Sequence, residues 1–127
     1  MSKAKDELRA RGIYNPHELS VRGCGVCVTY YPRGDGRAAL REGWYVHNTR
    51  KKYPGHWADY GSMPIRADNM RSRLNDPKTR GKALSFASSE CGRNRWARSP
   101  FGSWHPVEDL ESVGVKVPKS KIVEVTE

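Results

Sequence analysis

The chain is short of cysteine, of acid and of long apolar runs, and each shortage removes a class of protein. Three cysteines are an odd number, which argues against a disulfide framework and for a reducing compartment, the cytoplasm. No apolar stretch approaches the roughly 20 residues that a membrane span requires. The opening MSKAKDELRARG has no apolar middle of the kind a secretion signal carries. Its two early acids also speak against a mitochondrial presequence. There is no internal repeat and no low-complexity segment. No RNA-recognition sheet motif, KH loop or DNA-reading zinc finger is present either. Gly34-Asp35-Gly36-Arg37 is too short, and not placed before a helix, to cradle phosphate. Arg33-Gly34-Asp35 is a chance match to an adhesion tripeptide in a chain read as cytoplasmic.

What the chain has is positive charge. The formal net charge is +9 over 127 residues. Residues 1–107 hold 20 Lys/Arg and 9 Asp/Glu, a balance of +11, while residues 108–127 hold 3 and 5, a balance of −2. The charge therefore belongs to the body of the domain and not to a tail. A field of that sign draws polyanions through counterion release without reading their sequence. The same excess also serves solubility alone.

The length allows one domain, residues 1–127, and 12 aromatic residues can support one small core. Residues 2–11 read as a charged helix capped by Ser2 and closed by Gly12, with residues 1–12 only loosely docked because the apolar content is thin. Asn15-Pro16-His17-Glu18 reads as a second helix start. Ser20–Tyr31 reads as a strand bent at Gly23 and Gly25. Pro32–Gly36 reads as a loop, Trp44–Asn48 and Trp57–Gly61 as strands of an antiparallel meander. A short helix over Asn69–Asn75 follows. Asp76-Pro77 then starts the principal helix, which runs to Cys91 with Gly92 beyond it and turns Ala83, Leu84, Phe86, Ala87 and Cys91 to one side. Arg93–Pro106 reads as an ordered loop or irregular strand pinned by Trp96, Phe101 and Trp104. Val113, Val115 and Val117 alternate, and Ile122–Val125 pairs back on them as a carboxy-terminal hairpin. The expected fold is a two-layer α+β domain, an antiparallel sheet of four to six strands with one principal helix on one face. Trp44, Trp57, Phe86, Leu84 and Val28 are its expected core.

The stretch Glu42–Ile65 holds two tryptophans, three tyrosines and two histidines around Arg50-Lys51-Lys52. Residues 66–98 carry nine cations against three acids, and seven of the nine are arginine, which binds phosphate bidentately and stacks on bases. Aromatics interleaved with cations suit a surface for phosphates and unstacked bases. Arg50, Lys51, Lys52, Arg71, Arg73, Arg93, Arg95 and Arg98 are the expected charge donors, and Tyr53 and Trp96 the expected stacking platforms. A solvated helix face and a charged loop account for the same residues without a ligand.

Two further sets compete with that reading. Cys24-Gly25-Val26-Cys27 offers a zinc knuckle that Cys91 and His56 or His105 would complete. No second paired knuckle exists, and the cysteines serve equally as small apolar residues, so no cofactor is expected. His47, His56, Asp59 and His105 are the candidates for acid/base chemistry in a histidine-dependent nuclease, without any motif spacing to unite them. The sequence thus points to a non-enzymatic binder of nucleic acid, through its phosphates, or of a nucleoprotein complex. The alternative is a phage-type or accessory inhibitor docked on a nucleic-acid-handling enzyme through Trp, Tyr and Arg.

Overall fold

A computed structural model describes residues 3–35, 43–50, 65–66 and 80–125. The expected strand Trp57–Gly61, the short helix 69–75, the Ser2 cap, the Asp76-Pro77 start and Trp57 as a core residue lie outside the described residues.

In chain order the elements are α1 (Lys3–Ala10), α2 (Pro16–Val21), β1 (Val26–Asp35), β2 (Gly43–Asn48), β3 (Ile65–Arg66), α3 (Arg80–Cys91), β4 (Arg95–Arg98), β5 (Trp104–Pro106), α4 (Val107–Ser112), a 3-10 turn (Lys119–Lys121) and β6 (Val123–Glu124). The strands form one open sheet in the order β3-β2-β1-β5-β4-β6, and every pairing is antiparallel. The fold is α+β, with α3 as the principal helix across β1 and β2.

Local chemistry sets the boundaries. Asn15 caps α2 by accepting from the Glu18 amide at 3.0 Å, and Pro16 takes the first helical position. Glu18 reaches back to accept from the Tyr14 amide, one residue before the cap. α3 stops at Gly92, whose positive φ of 74° suits the residue that follows a helix. Its amide donates to the Ser88 carbonyl at 2.8 Å.

Strand alternation separates two faces. On the first, Val26, Val28, Val46, Trp96 and Trp104 pack with Ala83, Leu84 and Ala87 of α3, as the spacing in that helix predicts. Trp44, Phe86 and Cys91 add partly buried contacts there. The second face is covered too. Leu8, Ile13, Leu19, Val107, Leu110 and Val113 converge with Ala97 of β4 into a separate cluster. Helices α1, α2 and α4 therefore cover the side away from α3. Leu8 is only 1% exposed, so α1 belongs to this core rather than docking loosely.

Several local expectations are corrected. Ser20-Val21 end a helix instead of opening a strand, and β1 begins only at Val26. β1 continues through Pro32 to Asp35, beyond its paired stretch with β2, which runs from Val26↔Asn48 to Tyr31↔Gly43. Residues 93–106 form a true hairpin, β4 with β5. The valines at 113, 115 and 117 form no strand: α4 ends beside Val113, and the closing strand β6 pairs with β4 through Arg95↔Glu124 and Trp96↔Val123. The apolar side chains at these positions serve the second cluster.

Two cores carry a direct test. Leu84→Ala in the first and Leu110→Ala in the second should each lower unfolding free energy by about 2–5 kcal/mol, read from urea denaturation. A sheet covered on one side only would leave Leu110→Ala within about 0.5 kcal/mol of the parent.

Candidate functional site

Three arginines from distant parts of the chain meet at one end of the sheet. Arg22, Arg50 and Arg93 line a pocket of about 660 Å³ together with Cys24, Cys91, Asn48, Glu90, Glu108 and Asp109. The turn between α2 and β1 builds its floor. The Cys24 amide donates to Asp109 Oδ2 of α4 at 2.9 Å. A side chain at Gly23 would overlap that carboxylate, and one at Gly25 would press on Arg50 at a φ of +89°. The glycines on either side of Cys24 thus answer to crowding, and at Gly25 also to conformation.

Arg50 and Arg93, both expected charge donors, are brought together here. Arg22 joins them unannounced, since it is an isolated cation in the sequence. All three are engaged within the protein. Arg22 donates to the Arg11 carbonyl at 3.0 Å, and Arg50 to the Gly23 carbonyl. Arg93 forms an ion pair with Glu108 at 3.3 Å. Three carboxylates balance three guanidiniums, so the pocket is polar without a strong net field.

The other expected residues fall elsewhere. Lys51, Lys52, Tyr53, Arg71, Arg73, His56 and Asp59 lie outside the described residues. Arg95 and Arg98 are exposed on β4. Trp96 cannot serve as a stacking platform, because it is 0% exposed and its indole N–H donates to the Arg93 carbonyl at 3.0 Å. Alternation between two arginines does not say which side of the strand is covered, and here the indole points inward.

The cysteine and histidine sets do not assemble as a metal site. Cys27 lies opposite His47 in the register, on the face away from α3. It is fully buried, and burial pushes its thiol up to about 12. Cys24 sits instead beside Cys91, while His105 is buried behind Ser103. Among the described residues, no group of three or more His, Cys, Asp or Glu is gathered to hold a metal ion.

His47 and His105 share the second face but are closed off. His47 Nε2 meets the Tyr31 hydroxyl at 2.9 Å and its ring packs edge-on against His17, with centroids 4.6 Å apart. His105 Nε2 meets Ser103 Oγ at 2.7 Å, which in turn meets Ser99 Oγ at 2.8 Å. Burial first, and repulsion from His17 second, lower both imidazoles to about 3. They are neutral near pH 7 and hidden from any phosphodiester, so neither is placed for the acid/base role expected of it.

An aromatic and cationic cluster occupies the far end of the α3 face. Arg80, the first residue of α3, lies over the Trp104 ring at 4.9 Å from its centroid. Arg98 stands directly across from Trp104 in the β4–β5 register. Its guanidinium lies 3.8 Å from where a Cβ on Gly102 would sit. One step further along the same face, Tyr30 packs on Trp44 with centroids 5.3 Å apart and remains 41% exposed. Tyr30 shares its parity with Val26 and Val28, the one sign in the sequence that it belongs to this face.

Scans against protein-family models, curated proteins and solved structures find no match for the chain. The class defined by the coordinates is a small α+β domain built on an open antiparallel sheet. No helix among the described residues is long and apolar enough to cross a membrane.

The buried imidazoles set a pH dependence. Each has a folded pKa below its unfolded value of 6.5, so the unfolded chain binds more protons in between. Their contribution is complete above about pH 6.5 and is lost as pH falls towards about 3. Urea midpoints should already drop between pH 6.5 and 5, above most carboxylate titration, and His105→Gln should shallow that drop. A midpoint constant across this interval would contradict the burial of neutral histidine.

Proposed function

We propose that the protein binds single-stranded nucleic acid without sequence preference, at the end of the sheet bearing Tyr30, Trp44, Trp104, Arg80 and Arg98. The observation that carries this reading is the guanidinium of Arg80 over Trp104, with Arg98 alongside and Tyr30 partly open beside Trp44. Tyr30 and the partly buried Trp44 offer faces that accept any base, and Arg80 and Arg98 beside the buried Trp104 follow the phosphates. Arg98 makes no ion pair among the described residues and is exposed at the end of β4. The net charge of +9 supplies the long-range attraction. The expected surface of cations with aromatics is thereby assigned largely to other residues: Tyr30 and Trp44 replace Trp96, and Arg80 and Arg98 replace the pocket-bound Arg93.

Docking on a nucleic-acid-handling enzyme is the second reading. It draws on Tyr14 and Val21, large apolar side chains left 62% and 58% exposed at the two ends of α2. Its affinity would depend weakly on salt, because apolar burial and not counterion release would drive it.

Fluorescence anisotropy with a labelled single-stranded oligonucleotide tests the first reading. The logarithm of the association constant should fall linearly with the logarithm of salt concentration, by about 0.7 for each phosphate contacted. Arg80→Ala with Arg98→Ala should reduce that slope by about 1.4. Tyr30→Ala should weaken binding by about 1–3 kcal/mol with the slope kept. Absence of binding at low salt, or a slope that the double variant leaves unchanged, would overturn the assignment.

A further inference from the structure

The pocket at the opposite end of α3 contains a feature that polyanion binding does not use. Cys24 and Cys91 lie 67 positions apart in sequence, yet both line its wall and both are only partly buried. Both also pack against the core beneath α3, and each thiol lies close enough to perturb the other. We propose that Cys24 and Cys91 form a reversible dithiol–disulfide couple, oxidised by small hydroperoxides that enter this pocket.

The surroundings set the roles. Cys91 closes α3, and three influences hold its thiol below the ordinary value. The hydrogen bond from Cys24 is the largest, followed by the amide of Arg93 and the Arg93 guanidinium, and burial and Asp109 oppose them. Cys24 retains the proton, because the bond to Cys91, burial and the Asp109 carboxylate all raise it. Cys91 is thus the more readily ionised of the two and Cys24 the one that keeps its proton, the order of a nucleophile and its resolving partner. The thiolate of Cys91 attacks one oxygen of the peroxide; an S–O bond forms, the O–O bond breaks, and hydroxide leaves. Cys91 is then a sulfenic acid. The sulfur of Cys24 attacks it, an S–S bond forms, the S–O bond breaks, and the departing hydroxide carries off the Cys24 proton as water. Hydrogen peroxide is thereby reduced to two waters as two thiols become one disulfide.

Position favours ring closure over other fates. The Cys24 turn is fastened to α4 by the hydrogen bond from the Cys24 amide to Asp109, and to the residue after β2 by the Thr49 amide donating to the Gly25 carbonyl at 2.7 Å. The Cys91 end is fixed by the Gly92 amide on Ser88. Both sulfurs are thus presented by anchored backbone. Cys27 is an internal control, since it is 0% exposed on the other face of the sheet.

The test treats the purified full chain with hydrogen peroxide and maps the products by mass spectrometry and thiol titration after unfolding. The expected result is a monomer two mass units lighter, with Cys24 joined to Cys91, titratable thiols falling from three to one, and full recovery with dithiothreitol. Cys27→Ala should keep the same linkage and mass loss, with titratable thiols falling from two to none. Cys24→Ser should leave a sulfenic acid at Cys91 that dimedone captures. Linkage through Cys27, disulfides only between chains, over-oxidation of Cys91 without linkage, or no loss of thiols would overturn the proposal. None of these outcomes bears on oligonucleotide affinity, so the two assignments stand or fall separately.

Discussion

Burial of β1 on both faces governs the rest of the molecule. Cys27 and Val28 are neighbours in the chain and both are 0% exposed, one on the side of α2, the other beneath α3. A strand paired on each edge and covered on each side has no solvent-facing position in its middle. Helices are then needed on both flanks. The amino-terminal segment, poor in apolar residues, is drawn in for that reason, and Leu8, Ile13 and Leu19 become core residues although each stands nearly alone in its stretch of sequence.

The two flanks differ in chemistry. Beneath α3 the interior is almost wholly apolar. On the other side it holds His47, His105, Ser20, Ser99 and Ser103, all buried. Polar groups in such a place must pair or lose their charge. The serine and tyrosine hydroxyls satisfy one nitrogen of each imidazole, and desolvation keeps the rings neutral. Groups with reach to solvent are pushed to the ends of the sheet. One end carries aromatic rings and guanidiniums at the start of α3; the other carries a thiol pair and a balanced set of charges at its finish.

The elements with strong local signals were legible. The apolar stripe of α3 and its closing Gly92, the Asn15-Pro16 cap and the alternation of residues 44–48 each depend on contacts within a few residues. The second core was not, because it is assembled from single side chains separated by long stretches, and Ala97 carries no hydrophobic signature of its own. The valines at 113, 115 and 117 misled because alternation is also met by an extended segment packing single side chains under a core. For the site, charge singled out Arg50 and Arg93 but not the carboxylates gathered with them, while Arg22 needed the turn at Gly23 to bring it in. Trp96 was misplaced because its flanking arginines are on the surface and it is not. Carboxylate pairing, as between Arg93 and Glu108, is equally hidden from a one-dimensional count of charge.

The functional account depends on where an oligonucleotide touches the fold. Amide and indole correlation spectra of the labelled protein, titrated with a single-stranded oligonucleotide at low salt, test that most directly. The account predicts shifts at the Trp44 and Trp104 indoles and at the Tyr30 and Arg98 amides, with the Trp96 indole unmoved on its Arg93 carbonyl. Shifts confined to α2 and α4, or a moving Trp96 with Trp44 and Trp104 still, would contradict it.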